Sequence, residues 1–164
     1  MKLVICGIDE ANKLLADPAH GFDNIISIMD PQAREPDSIK NIDSVPNRLI
    51  IDFHDVESTE SDWQHPTIED AKTILDFAED KINSSWLVHC HQGKSRSAAV
   101  GLMLCARVYG VAQSKEELLK VRPNACPNVL LSAHFDSLCG FNGALKERAL
   151  DFDYQALRAL AGAV

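Results

Sequence analysis

One stretch of the 164-residue sequence gathers groups able to do covalent chemistry: Leu87-Val88-His89-Cys90-His91-Gln92-Gly93-Lys94-Ser95-Arg96-Ser97. Backbone N–H groups of a tight loop, and of the first turn of a helix that follows it, lack partners inside their own element. A loop from Cys90 to Arg96 can therefore aim several donors at one point, and a phosphate suits that point. The expected cradle is the backbone of His91, Gln92, Gly93, Lys94, Ser95 and Arg96, with phosphate, sulfate or vanadate as ligands. Arg96 adds a planar guanidinium able to grip two oxygens at once, and Gly93 gives the loop its turn. A cysteine sulfur at the base of such a cradle meets the helix N-terminus, the donors and Arg96, all of which favour thiolate over thiol. Cys90 is thus expected to be a nucleophile at neutral pH. Ser97 could hydrogen-bond its sulfur, and His89 could brace the loop through its ring nitrogens.

A bare Cys followed six residues later by Arg is expected by chance about 0.2 times in a chain of this composition, which is weak evidence. Requiring also the preceding His, Gly at the third position and Ser or Thr after the Arg lowers this to roughly 3 in 100,000. The elements needed to position the loop are present. Apolar runs at Leu3 to Cys6, Ile25 to Met29, Leu49 to Phe53 and Trp86 to His89 predict strands, the last ending at Cys90. Helical patterns are expected at Asp9 to Ala16 and at 66 to 82, where Ile68, Ala71, Leu75, Ala78 and Ile82 share a face. From Ser95 to Tyr109 the chain is apolar almost all round, predicting a central buried helix closed by Gly110, with Gly101 allowing close packing.

Three further helices complete the pattern. Ser114-x-x-Glu117 predicts a capping box opening a helix through Val121, Pro127 a helix with Leu131, Phe135 and Leu138 at core spacing, and Gly143 to Leu160 an amphipathic tail helix. Alternating strand and helix predicts one α/β domain over 1–164. It has a central, mostly parallel sheet of four or five strands flanked by helices, with function beyond the strands' carboxyl ends. Residues 30 to 48 form the one long loop, a candidate binding loop.

A net charge of −8 opposes any broad interaction with nucleic acid or anionic membrane, so an anion site must be local. The first apolar run is too short and too acidic for a signal peptide, and nothing approaches 18 consecutive apolar residues, so a cytoplasmic protein is expected. Five cysteines without framework spacing read as free thiols, four of them as small buried hydrophobes. His89, Cys90 and His91 are metal-ligand types, but neighbours on an extended chain diverge and no spaced pair completes a site, so no metal is expected.

The string resembles the signature loop of cysteine-based protein tyrosine phosphatases, particularly the small dual-specificity type, in which His-Cys, five residues, Arg and Ser/Thr follow one another. Similarity in element order covers about residues 45 to 140. Leu49, Phe53, Asp55 and Val56 at the third strand's end, and Arg122-Pro123-Asn124-Ala125-Cys126-Pro127-Asn128 after the loop, resemble small bacterial members. The resemblance implies a phosphatase-like fold and phosphomonoester hydrolysis without a cofactor. The thiolate attacks phosphorus, and the phosphocysteine is then hydrolysed by water. It also implies an Asp general acid roughly 30 to 40 residues before the cysteine.

Asp52, Asp55 and Asp62 qualify, and Asp55, just past a strand end, is preferred; His54 beside it reads as an exposed loop residue. Lys94 half-matches members that act on inositol phosphates or phosphoinositides, with His91 where a second basic residue is usual. A soluble phosphoprotein remains the leading substrate. A silent phosphate-binding pseudophosphatase, sulfur transfer and arsenate reduction are the alternatives. A low-pKa accessible thiolate also implies reversible inactivation by peroxide.

Overall fold

All four strands of the central sheet are parallel, so their carboxyl ends meet along one edge, and the sheet is covered on both faces. The computed structural model describes residues 1–31 and 39–161, and side chains within that range up to Phe152. Strands β1 (Lys2–Cys6), β2 (Asn24–Met29), β3 (Asn47–Asp52) and β4 (Ser85–His89) are arranged β1-β4-β2-β3. The central strands β4 and β2 are buried along their whole length, as continuous apolar runs between two helical layers should be. Trp86 and Val88 of β4 join one core with Ile26 and Ile28, while Leu87 joins a second with Ile25, Ala11 and Leu15.

Helix α1 (Ile8–Leu15) covers the second face, and α2 (Ile68–Ala78), α3 (Arg96–Tyr109), α4 (Val111–Val121), α5 (Val129–Cys139) and α6 (Ala144–Ala161) build the other layer. Helix α3 is buried continuously from Arg96 to Ala106, matching its apolar circumference. Gly101 lets it approach β1, since a Cβ there would lie 2.8 Å from the Ile5 Cδ1 atom. The tail helix buries Leu145, Ala149 and Phe152 as its spacing predicts; Ala156 and Leu160 lie beyond the described side chains.

Several local expectations are corrected. Ser114 opens no helix: Gly110, at φ +88, lets α4 start at Val111, and the buried Ser114 hydroxyl donates to the Val111 carbonyl at 2.8 Å. Asn128 rather than Pro127 caps α5, accepting from the Leu131 N–H at 2.9 Å. Helix α2 starts after a Thr67 cap, with Thr67 and Asp70 forming a reciprocal capping box, and gives way to a 3-10 turn at Glu79–Lys81. Its inward residues are Ala71, Ile74 and Ala78, while Ile68, at its first position, is exposed, as is Leu138 on α5. The expected loop over 30–48 contains a 3-10 turn at Ile42–Ser44 and the start of β3; residues 32–38 lie outside the described residues.

Candidate active site

Strand β4 delivers Cys90 to the carboxyl edge of the sheet, and α3 begins at Arg96, so residues 90–95 make the whole turn from strand to helix. That turn is held from outside. The His91 carbonyl accepts from the Ile8 N–H (3.3 Å), the Lys94 carbonyl from Cys126 N–H (2.8 Å), and the Ser95 carbonyl from the N–H groups of Ala99 (2.9 Å) and Asn128 (3.2 Å). Between them, Arg122 donates from Nη2 to the Gln92 carbonyl (3.1 Å) and from Nε to the Gly93 carbonyl (3.0 Å). Five consecutive carbonyls are thus engaged by outer partners. Because every peptide is planar and trans, the N–H groups of Gln92, Gly93, Lys94, Ser95 and Arg96 point the other way, toward the concave side. Gly93 makes the path possible, with φ +71 and no room for a side chain: a Cβ there would sit 2.2 Å from the Cys6 carbonyl carbon.

A cavity of about 290 Å³ opens on this loop, lined by Cys90 and Arg96, by Asp30 and Asp55, and by His91, Gln92, Lys94 and Ser95. Cys90 Sγ lies 3.2 Å from Ser97 Oγ, the contact expected from the sequence. The Arg96 side chain is almost wholly buried; its Nη1 donates to Asp30 Oδ1 (2.8 Å) and to the Phe53 carbonyl (2.7 Å). Its Nε is buried without a hydrogen-bond partner among the described residues. Buried donors in folded proteins are almost always satisfied, so a guanidinium anchored on one nitrogen and orphaned at another is suited to receive an oxyanion.

His89 sits at the end of β4, fully buried, with Nε2 2.7 Å from the hydroxyl of Ser27, its register partner on β2. Burial pushes its pKa down to about 4, with the Arg96 charge acting in the same direction and the Cys90 backbone opposing. At neutral pH the ring is therefore uncharged and braces the strand end. Burial pushes the Cys6 and Cys105 thiols up to about 12 and raises Cys139, which disfavours the thiolate at these three positions.

Of the three acid candidates, Asp55 shares the cavity with Cys90. Its Oδ1 accepts from Ser95 Oγ (2.6 Å) and Asn128 Nδ2 (3.0 Å). Asn128 also donates to the Val56 carbonyl, and Glu57 accepts from the Val129 N–H at 2.8 Å, so the loop after β3 is docked on the start of α5. Asp52 ends β3, and Asp62 lines a different cleft with Pro31, His54, Trp63 and Gln64. His54 is buried rather than exposed, packed edge-on against the Trp63 ring at 4.6 Å. This follows from the loop folding back, the His54 N–H donating to the Gln64 carbonyl at 2.8 Å.

Sequence reasoning gave no role to Asp30, Glu10, Arg122 or Asn128. Glu10 pairs with Arg122 at 3.1 Å and accepts from the Gly7 N–H, tying α1 through Arg122 to the loop that follows Cys90. Asp30 carried a usable signal, an acid directly after a strand whose carboxyl end must face the site. Asn128 carried another, a capping residue ahead of an apolar run.

No protein-family model matches the sequence, and no curated protein matches it. Solved structures do. The human tyrosine phosphatase-like serine/threonine/tyrosine-interacting protein superposes with a TM-score of 0.64 at 21% identity, over 85% of this chain and 91% of that one. DUSP15 gives 0.61 at 21% identity over 91% and 90%, and Tk-PTP in its active form 0.58 at 18% over 84% and 91%. With four parallel strands, flanking helices and the cysteine loop at the sheet edge, the chain has the fold of the cysteine-based tyrosine and dual-specificity phosphatases.

Proposed function

We propose that the chain is one phosphatase domain that hydrolyses phosphomonoesters through a phosphocysteine, acting on phosphotyrosine or on both phosphotyrosine and phosphoserine/threonine in cytoplasmic proteins. The observation that carries this reading is that Cys90, Arg96 and Asp55 line one cavity whose loop N–H groups converge. In the first step the Cys90 thiolate forms an S–P bond as the P–O bond to the substrate breaks, and Asp55 gives its proton to the leaving oxygen. In the second, Asp55 takes a proton from water as that water's oxygen bonds to phosphorus. The S–P bond breaks in the same displacement, inorganic phosphate leaves, and Ser97 stabilises the returning thiolate. Arg96 and the loop N–H groups hold the three equatorial oxygens throughout, which is the preorganised electrostatic contribution phosphoryl transfer depends on.

The fold by itself does not separate an enzyme from a phosphate-binding protein, since one similar structure is named phosphatase-like and interacting. The filled positions 55, 90 and 96 favour turnover. Hydrolysis of p-nitrophenyl phosphate and of a phosphotyrosine peptide by the wild-type protein, abolished in Cys90→Ser while phosphate or vanadate binding persists, is the expected result. No phosphate release from either compound between about pH 4 and pH 9 would replace this reading with that of a binding protein.

A further inference from the structure

Asp62, an acid the catalytic cavity does not use, belongs to a second and larger cleft of about 430 Å³, with Pro31, His54, Trp63 and Gln64. Trp63 is 59% exposed there, an unusual state for an indole on the face of a folded protein. Two of its residues, Gln64 and Trp63, are nevertheless held in place. Gln64 is held at both ends, its carbonyl by the His54 N–H (2.8 Å) and its side-chain amide by the Asp52 carbonyl (2.6 Å), and the Trp63 ring rests edge-on against buried His54. A carboxylate beside a rigid, exposed aromatic surface in a concavity is the chemistry that receives a guanidinium or an ammonium group.

The position of the cleft says where such a group would come from. Pro31 follows Asp30 and His54 precedes Asp55, so at two points the linings of the two cavities are neighbours along the chain. Consecutive Cα atoms lie about 3.8 Å apart and an extended peptide spans about 3.4 Å per residue. A side chain one to three residues from a phosphorylated residue seated over Cys90 therefore reaches it. The surrounding charge has the matching sign: residues 52 to 62 include Asp52, Asp55, Glu57, Glu60 and Asp62 and no lysine or arginine. Positive groups line the phosphate cavity at Arg96 and Lys94. Asp62 supplies the charge lining the second cleft, whereas Lys94 and Arg96 line the phosphate cavity, so the cleft disfavours polyanionic scaffolds such as inositol polyphosphates.

We propose that the Pro31–His54–Asp62–Trp63–Gln64 cleft is a specificity subsite for a lysine or arginine side chain near the phosphorylated residue of a peptide substrate. This rests on the phosphatase reading above, and the experiment separates the two. Binding of matched phosphotyrosine peptides with Arg, Ala or Glu at each position from three before to three after the phosphotyrosine is measured calorimetrically on full-length Cys90→Ser protein, alone and combined with Asp62→Asn, Trp63→Ala or Asp62→Lys. At one or more positions Arg is expected to bind about fivefold tighter than Ala, and Glu more weakly than Ala. The Arg preference should fall below about twofold in Asp62→Asn and in Trp63→Ala, and Asp62→Lys should reverse it toward Glu. Equal affinities at every position overturn the proposal, as does an Arg preference that survives both substitutions, or tighter binding of an inositol polyphosphate than of any peptide. Absence of phosphate release by the wild-type protein leaves these affinities readable and overturns only the phosphatase reading.

Discussion

Two loops meet over the Cys90 sulfur and are built on opposite principles. The phosphate loop has every carbonyl from His91 to Ser95 engaged by an outer donor, and its glycine packs against the β1 backbone. The loop after β3 that carries Asp55 is largely exposed and is attached to α5 through Asn128 and Glu57. Under the proposed function, a site that holds the same tetrahedral anion in every cycle gains from donors that cannot reorient. Under the proposed mechanism, a group that gives a proton to one oxygen and takes one from another gains from solvent access. Damage to the first loop should therefore cost binding, chemistry and stability together, and damage to the second mainly proton transfer.

The largest effect that would break this contrast lies at Gly93. Gly93→Ala forces a Cβ into the Cys6 backbone at a positive φ, and is expected to cost about 3 kcal/mol or more of stability and at least 100-fold in kcat/KM. Chemical denaturation and p-nitrophenyl phosphate assays check both. A soluble, fully active Gly93→Ala protein would show that the loop is not rigid.

Asp55→Asn should reduce kcat by about 100-fold to 10,000-fold on a phosphotyrosine peptide while leaving denaturation midpoints nearly unchanged. The loss should shrink with p-nitrophenyl phosphate, whose better leaving group needs less protonation. An equal loss on both substrates would remove Asp55 from the acid role. A milder version of the same pattern, about tenfold, is expected for Asn128→Ala, with an added stability cost of about 1 kcal/mol for the lost α5 cap.

Arg122→Ala sharpens the comparison from the other side. It releases the Gln92 and Gly93 carbonyls without touching the cavity, and should weaken vanadate binding about tenfold, with Arg122→Lys recovering only part because one ammonium cannot span both carbonyls. Unchanged vanadate affinity would mean the other carbonyl partners suffice.

The smallest effect is a pH dependence. His89 titrates near 4 when folded and near 6.5 when unfolded, so the unfolded state binds the proton first as pH falls. Its contribution is fully present above about pH 6.5 and declines as pH falls toward 4. Replacing His89 by Asn should flatten stability across that window; an identical slope in both proteins would assign the pH dependence to other groups.

Much of this was legible from one sequence because the signals were local. The β4 run, the cysteine string and the apolar circumference of α3 lie consecutively along the chain, and together they dictate a strand, a turn and a buried helix. The order of strands and helices likewise yields a parallel sheet with its functional edge at the carboxyl ends. The supports of the site were hidden because each depends on a distant partner: Asp30 reaches Arg96 across 66 positions, and Arg122 reaches the loop across about 30. Ser114 misled for a local reason, since the positive φ at Gly110 removes the gap in which a capping residue would sit. His54 misled because a backbone bond to Gln64 closes its loop over it.

The account's central claim is that the sulfur of Cys90 carries the phosphoryl group between the two steps. Rapid acid-free quenching of Asp55→Asn protein with p-nitrophenyl phosphate, followed by peptide mass spectrometry, tests it directly. A single phosphoryl group on the peptide containing Cys90, absent from Cys90→Ser, is the predicted result. Substrate turnover with that peptide unmodified, or with the phosphoryl group on His91, would contradict it.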